Sequence, residues 1–200
     1  MSSNTIEIIP LPITKDIESK DKIDSLILQS LKNSDRSLFD RDIIIIAQKI
    51  ISKAEDRIIN LSSVSPSKQS LEIARRQRKD ARIIELIMRE SVNVVKMSGG
   101  VIITETRHGF ICANSGIDQS NILDGHQNAL LLPEAPDRSA QRIRNAIMSK
   151  TNKQIAVIIT DTFGRPFREG QTNVAIGIAG IKPIRSYIGK NDLYGKKLRA

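Results

Sequence analysis

Two acidic residues stand just beyond apolar runs. In "FICANSGIDQSN" Asp118 is flanked by Asn114 and Asn121, and in "VIITDTFGRPFREG" Asp161 precedes Thr162, Arg165 and Arg168. Two carboxylates and a hydroxyl on separate loops suit a hard divalent cation, because Mg²⁺ and Mn²⁺ take oxygen ligands and need few protein donors when phosphate completes the shell. The arginines match phosphate oxygens by bidentate hydrogen bonding. Acids for a cation beside arginines for an anion are what a metal–nucleotide site requires. Lys53, just past the apolar run Ile43 to Ala47, would add a phosphate contact. Taken singly, each residue also has a plainer role. Asp118 would cap a turn, Asp161 would cap a helix, the arginines would neutralise nearby acids and Lys53 would be solvated.

Other chemistries find less support. There is no G-x-x-x-x-G-K-[ST] phosphate loop, and no G-x-G-x-x-G opens a helix after a strand. Gly177 and Gly180 lie in the apolar "AIGIAGI", where close backbone packing is the commoner reason for glycine. Cys112, the only cysteine, excludes an intramolecular disulfide and a multi-cysteine zinc site, and within "FICA" it reads as a small buried side chain. A net charge of +9 favours anionic partners, among which nucleic acid, nucleotides, phosphodiesters and carboxylates all qualify. The N-terminus does not read as a signal peptide, and no apolar run is long enough to span a bilayer, so a reducing, cytoplasmic setting and no membrane partner are expected.

The elements that must position these residues alternate irregularly. "TIEIIPLPI" reads as a strand ended by its prolines, "DKIDSLILQSLKN" as a helix, and Ile43 to Ala47 as a fully apolar strand emptying into the polar "QKIISKAEDR". "LSSVSPSKQS" is the most linker-like stretch, followed by a long helical region, "SLEIARRQRKDARIIELIMRES", whose basic cluster Arg75, Arg76, Arg78 and Lys79 reads as a solvated face. "VNVVKM", "GVIITET", "FICA" and the buried "QIAVIIT" follow as strands, with "DRSAQRIRNAIMSKT" a helix capped by Asp137 or Ser139. The order is not a strict βαβ alternation, so the expected class is α+β, a mixed, strand-rich fold in two parts. Residues 1–92 form a mixed α/β part and 93–189 a strand-rich part that binds metal and nucleotide.

Five stretches in this order, "ISKAEDR", "RHGFICANSGIDQSN", "LLLPEAPDRSAQRIR", "ITDTFGRPFREG" and "AIGIAGIKPIRSYIGKNDLYGKKL", closely resemble the coenzyme F420-0:L-glutamate ligase family over essentially the whole chain. The resemblance implies an α+β fold unlike the P-loop GTPases, and a homodimeric, GTP-dependent ligase of coenzyme F420 biosynthesis. Such an enzyme joins L-glutamate to the deazaflavin phosphodiester F420-0 and releases GDP and phosphate. It also implies two divalent cations, Mg²⁺ or Mn²⁺, with K⁺ as a further cation. By resemblance, Asp118, Asp161 and Thr162 are metal ligands and Asn121 contacts the nucleotide. Leu11, Pro12, Ile13 and Thr14 form a nucleotide-contacting turn, joined by Gln48, Lys49 and Lys53, although Gln48 and Lys49 depart from the small hydroxyl residues expected there. Arg165 and Arg168 are the candidates for offsetting charge during catalysis. Family chains continue past "DLYGKKL" into a segment with further nucleotide contacts and another metal ligand. The 200 residues alone are therefore expected to be inactive, to expose apolar surface, and to have their first part completed by 190–200 and that segment. Two rivals from other classes are a two-metal phosphatase and a basic nucleic-acid-binding module; scarce aromatics count against the second.

Overall fold

The isoleucine run Ile43–Ala47 forms strand β1, and its inner residues Ile44 and Ile46 are buried while Ile43 and Ile45 are exposed. A fully apolar sequence here belongs to an edge strand with one open face, because β1 lies at the margin of a three-stranded sheet. In the computed structural model, which describes residues 5–164 and 169–199, β1 pairs in parallel with β7 (Ala156–Gly164), and β7 pairs antiparallel with β8 (Gln171–Ala179). Helices α1 (Ile23–Asn33) and α5 (Pro136–Thr151) cover the inner face, and their apolar stripes join Ile44, Ile46, Val157, Ile159 and Phe163 in the main core. The fold is α+β, as expected from the sequence.

Between β1 and β7 the chain builds the rest. β1 runs without a loop into α2 (Gln48–Ala54), where the sequence suggested only a polar exit. β2 (Ile58–Asn60) pairs antiparallel with β6 (Asn128–Leu130), and β3 (Ser91–Ser98), β4 (Val101–Thr106) and β5 (Ile111–Ala113) form a third sheet. The pairs β1–β7 and β2–β6 both join residues from either side of position 92, so two of the three sheets span the division drawn from sequence.

Three local expectations are corrected. The long helical region is two helices, α3 (Lys68–Gln77) and α4 (Ala81–Glu90). Arg78 ends α3 in the left-handed conformation, and Asp80 starts α4 by accepting the Arg82 amide. Neither Asp137 nor Ser139 caps α5: Pro136 opens the helix, Asp137 accepts the Ile178 amide of β8 at 2.7 Å, and the Ser139 hydroxyl donates to Glu55 at 2.5 Å. Residues 5–10 form no strand; Ile6 and Ile8 are exposed, with no neighbouring strand to complete a ladder.

Gly177 is where α5 meets the sheet, since a Cβ there would lie 2.5 Å from the Pro136 carbonyl carbon and 2.6 Å from its oxygen. Glu85 ties α3 to α4: it accepts the Ser67 amide at 2.9 Å, the Ser70 hydroxyl at 2.8 Å and Arg89 Nε at 2.9 Å.

Gly177→Ala should force the first turn of α5 off β8 and cost about 1–3 kcal/mol, read as a lower urea midpoint. The Ser67 amide and then the Ser70 hydroxyl pull the Glu85 carboxyl from 4.5 down to about 2. A depressed carboxyl contributes stability that is complete above its unfolded value and lost as pH falls through its folded one. Glu85→Gln is therefore expected to be less stable at pH 7 and to lose less stability between pH 4.5 and 2 than the unaltered chain in paired urea melts.

Candidate functional site

The register of β1 on β7 sets Ala47 against Thr160, so the first turn of α2 starts level with Asp161, the next residue of β7. Past the carboxyl end of β1 the edge of β7 is left without a strand partner, because the chain turns from β1 into α2 while β7 runs on beside β8. On α2, Gln48, Ile51 and Ser52 face inward and are buried, which leaves Lys49 and Lys53, one turn apart, on the open side. Asp118 reaches the same place from β5. Its backbone exchanges both hydrogen bonds with Leu130 (3.0 and 2.8 Å), and Phe110 meets Phe163 of β7 edge-on with ring centres 5.9 Å apart.

The result is a cleft of about 240 Å³ lined by Ile13, Lys15, Asp16, Lys49, Lys53 and Asn121, among others. Each lining lysine holds a carboxylate: Lys49 to Asp118 at 2.6 Å, Lys53 to Asp16 at 2.8 Å and Lys15 to Asp21 at 2.7 Å. Lys49 also donates to the carbonyl and the hydroxyl of Ser120, both at 2.9 Å. Asp118 accepts the Ser120 amide at 2.7 Å and its hydroxyl at 3.0 Å, so the turn-capping role read from sequence is present together with the ion pair. Burial alone would raise Asp118, but Lys49 and Ser120 outweigh it and hold the carboxyl below the usual range. Asp161 goes the other way: partial burial raises it, the Thr162 amide opposes this, and the negative charge of Asp118 adds to the rise.

Of the residues singled out from sequence, Ile13, Lys49, Lys53 and Asn121 line the cleft, and Asp118 and Asp161 lie close enough to sense each other's charge. Asp161 sits in β7 and caps no helix. Strand alternation aims Thr162 to the opposite face, where its hydroxyl donates to Asn173 at 2.6 Å. Gln48 is buried away from the cleft, with its Oε1 unpartnered. Leu11 packs against the core, while the Pro12 carbonyl accepts the Ser30 hydroxyl at 2.9 Å and so ties this turn to α1; Thr14 is exposed beside it. Arg165 and Arg168 lie outside the described residues.

Sequence reading missed Lys15, Asp16 and Ser120, whose only signal was adjacency to residues already chosen. Within "ISKAEDR" sequence assigns a role only to Lys53; Glu55 binds Ser139 and Arg142 of α5, and Arg57 binds the Leu132 carbonyl (2.9 Å), Glu90 and Glu134 (3.0 Å each). Those two residues join elements together. Cys112 is buried; burial first, then the charge of Asp161, pushes its thiol up to about 11, which leaves no nucleophilic thiolate at neutral pH.

Among the described residues no group of three or more His, Cys, Asp and Glu side chains is placed to hold a metal. Two carboxylates that repel each other, one of them neutralised by an ammonium, still fit a Mg²⁺-type ion, which uses one or two protein carboxylates with phosphate and water.

Fold and cleft together define an α+β protein with a lysine-lined crevice past the carboxyl end of β1. The chain belongs to the F420-0:gamma-glutamyl ligase family, whose model matches residues 13–200. It is 47% identical over 178 residues to the coenzyme F420:L-glutamate ligase of Methanothermobacter thermautotrophicus, covering 89% of this chain and 70% of the relative. With the proteins of the same name from Methanocaldococcus jannaschii and Methanopyrus kandleri it shares 44% and 40% identity, over 80% and 98% of this chain. It spans 63% and 75% of those two relatives' lengths. No helix among the described residues is long and apolar enough to cross a membrane.

Asp161→Asn keeps the acceptor for the Thr162 amide and removes a partly buried charge facing Asp118. A raised carboxyl begins to destabilise as pH rises past its unfolded value and does so fully above its folded one, so this variant should melt higher than the unaltered chain at pH 7. The gain should vanish in acid, below the ordinary value of 3.8, as thermal melts across pH would record.

Proposed function

We propose that this chain forms the nucleotide- and metal-binding part of a GTP-dependent ligase that joins L-glutamate to F420-0. Family membership supports the ligase class, and one observation carries the finer reading. Lysines of α2 and the carboxylates Asp118 and Asp161 gather at one end of the β1–β7 pair, which suits a triphosphate and its cation together.

A carboxylate does not condense with an amine unaided, because oxide is a poor leaving group. Transfer of the γ-phosphoryl group of GTP to the acceptor carboxylate gives an acyl phosphate. Attack by the glutamate nitrogen then forms the amide and expels phosphate, and the ammonium protons pass to solvent. GDP and phosphate are the other products. A divalent cation at Asp118 and Asp161 would supply charge neutralisation on the β and γ phosphates. Lys53, and Lys15 beside it, orient the phosphate chain by their positive charge, while Ile13 and Ile17 offer apolar surface to one side. Arg165 and Arg168 offset charge on the transferring group. The cleft's 240 Å³ is below the range of about 300–1,000 Å³ that encloses a whole ligand, which suits the phosphate end of a nucleotide. We further read the working enzyme as a cytoplasmic homodimer.

The test is an incubation of the protein with GTP, Mn²⁺, glutamate and F420-0, read as glutamylated product and GDP. Asp118→Asn and Asp161→Asn should each lower turnover at least about 100-fold with the fold preserved. GTP hydrolysis that ignores F420-0 would favour a phosphatase and overturn the ligase reading.

A further inference from the structure

The Lys49 ammonium sits among three oxygens, Asp118 Oδ2 at 2.6 Å and the carbonyl and hydroxyl of Ser120 at 2.9 Å each. An ammonium has three protons, and all three are used here. A carboxylate, a carbonyl and a hydroxyl around one positive centre are the oxygen donors a hard cation takes. Lys49 is anchored on α2 by the buried residues Gln48, Ile51 and Ser52, so its head group can swing while its base stays fixed. Its neighbour one turn on, Lys53, also lines the cleft but holds Asp16, which is 80% exposed and easily given up to solvent.

We propose that Lys49 is a tethered stand-in for the cation at Asp118: its ammonium takes the place of the metal beside that carboxylate and leaves it when a divalent ion binds. This rests on reading Asp118 as a metal ligand. Asp118 Oδ1 already accepts the Ser120 amide and Oδ2 holds Lys49, so a divalent ion and the ammonium compete for one carboxylate and repel each other across it. Once displaced, the ammonium is on the wall of the cleft with no carboxylate partner, and it turns to the anion there. Metal binding thereby frees a cationic donor for phosphate. By reciprocity, an anion that draws Lys49 away opens Asp118 to the metal. Before either ligand arrives, the lining lysines are all paired, so the cleft does not present bare positive charge to unrelated anions.

The experiment titrates Mn²⁺ alone, with free Mn²⁺ read by its electron paramagnetic resonance signal, into the unaltered chain and four variants. Lys49→Met should bind Mn²⁺ about fivefold more tightly, as expected for loss of a partly exposed competing ion pair. Lys49→Arg, which keeps the charge, should restore weak binding and guards against a folding defect in the Met variant. Lys68→Met, an exposed lysine on α3, controls for net charge and should change nothing. Asp118→Asn should abolish the tight site. If Lys49→Met binds Mn²⁺ no more tightly while Asp118→Asn loses it, the stand-in role is wrong and the metal reading survives. If Asp118→Asn binds like the unaltered chain, both are wrong.

Discussion

Parallel pairing of β1 with β7, from Ile43 against Ala156 to Ala47 against Thr160, is what the site is built on. The two strands are over a hundred residues apart in the chain, and parallel ladders cannot be closed by a tight turn. Everything between them is accommodated elsewhere in the fold: two further sheets and the four helices α2, α3, α4 and α5. Once they meet, the geometry follows. β1 ends at Ala47 opposite Thr160 and α2 starts there with its lysines outward, while β7 runs on beside β8 and carries Asp161 just past that end.

Electrostatics then makes the crevice uneven. Asp161, partly buried and facing the charge of Asp118, carries a raised carboxyl, while Asp118 is held down by Lys49 and the Ser120 turn. Neighbouring acids whose titrations are pushed in opposite directions are a common arrangement at functional sites. The surrounding ion pairs have a different purpose. Arg57 and Glu55 fix β6 and α5 relative to α2, and their burial on long-range partners makes them braces rather than ligands.

Apolar surface is left open on the outer face of the β1 edge, at Ile43 and Ile45, and along the C-terminal stretch, where Ile184, Leu193 and Tyr194 are exposed. That stretch closes on itself through bonds between Gly189 and Leu198, and between Asp192 and Lys196. Its motif-like composition thus reflects a local turn: Asp192 also accepts the Tyr194 and Lys196 amides.

Local chemistry was legible in the sequence. Apolar runs gave β1 and most of β7, apolar period gave α1, and acids placed just beyond apolar runs gave Asp118 and Asp161, although β7 runs past Asp161 to Gly164. The α3–α4 break was not legible, since it depends on Arg78 adopting a left-handed backbone and on Glu85 bonding across the gap. Nor was the polarity of the β1–β7 pairing, or the splitting of "ISKAEDR" into one cleft lysine and two braces. Sequence determined which side chains could hold a cation and an anion. Only the tertiary structure decided that Lys49 meets Asp118 and that Thr162 turns away, because strand alternation and a ladder closed across a hundred residues act at distances no local pattern encodes.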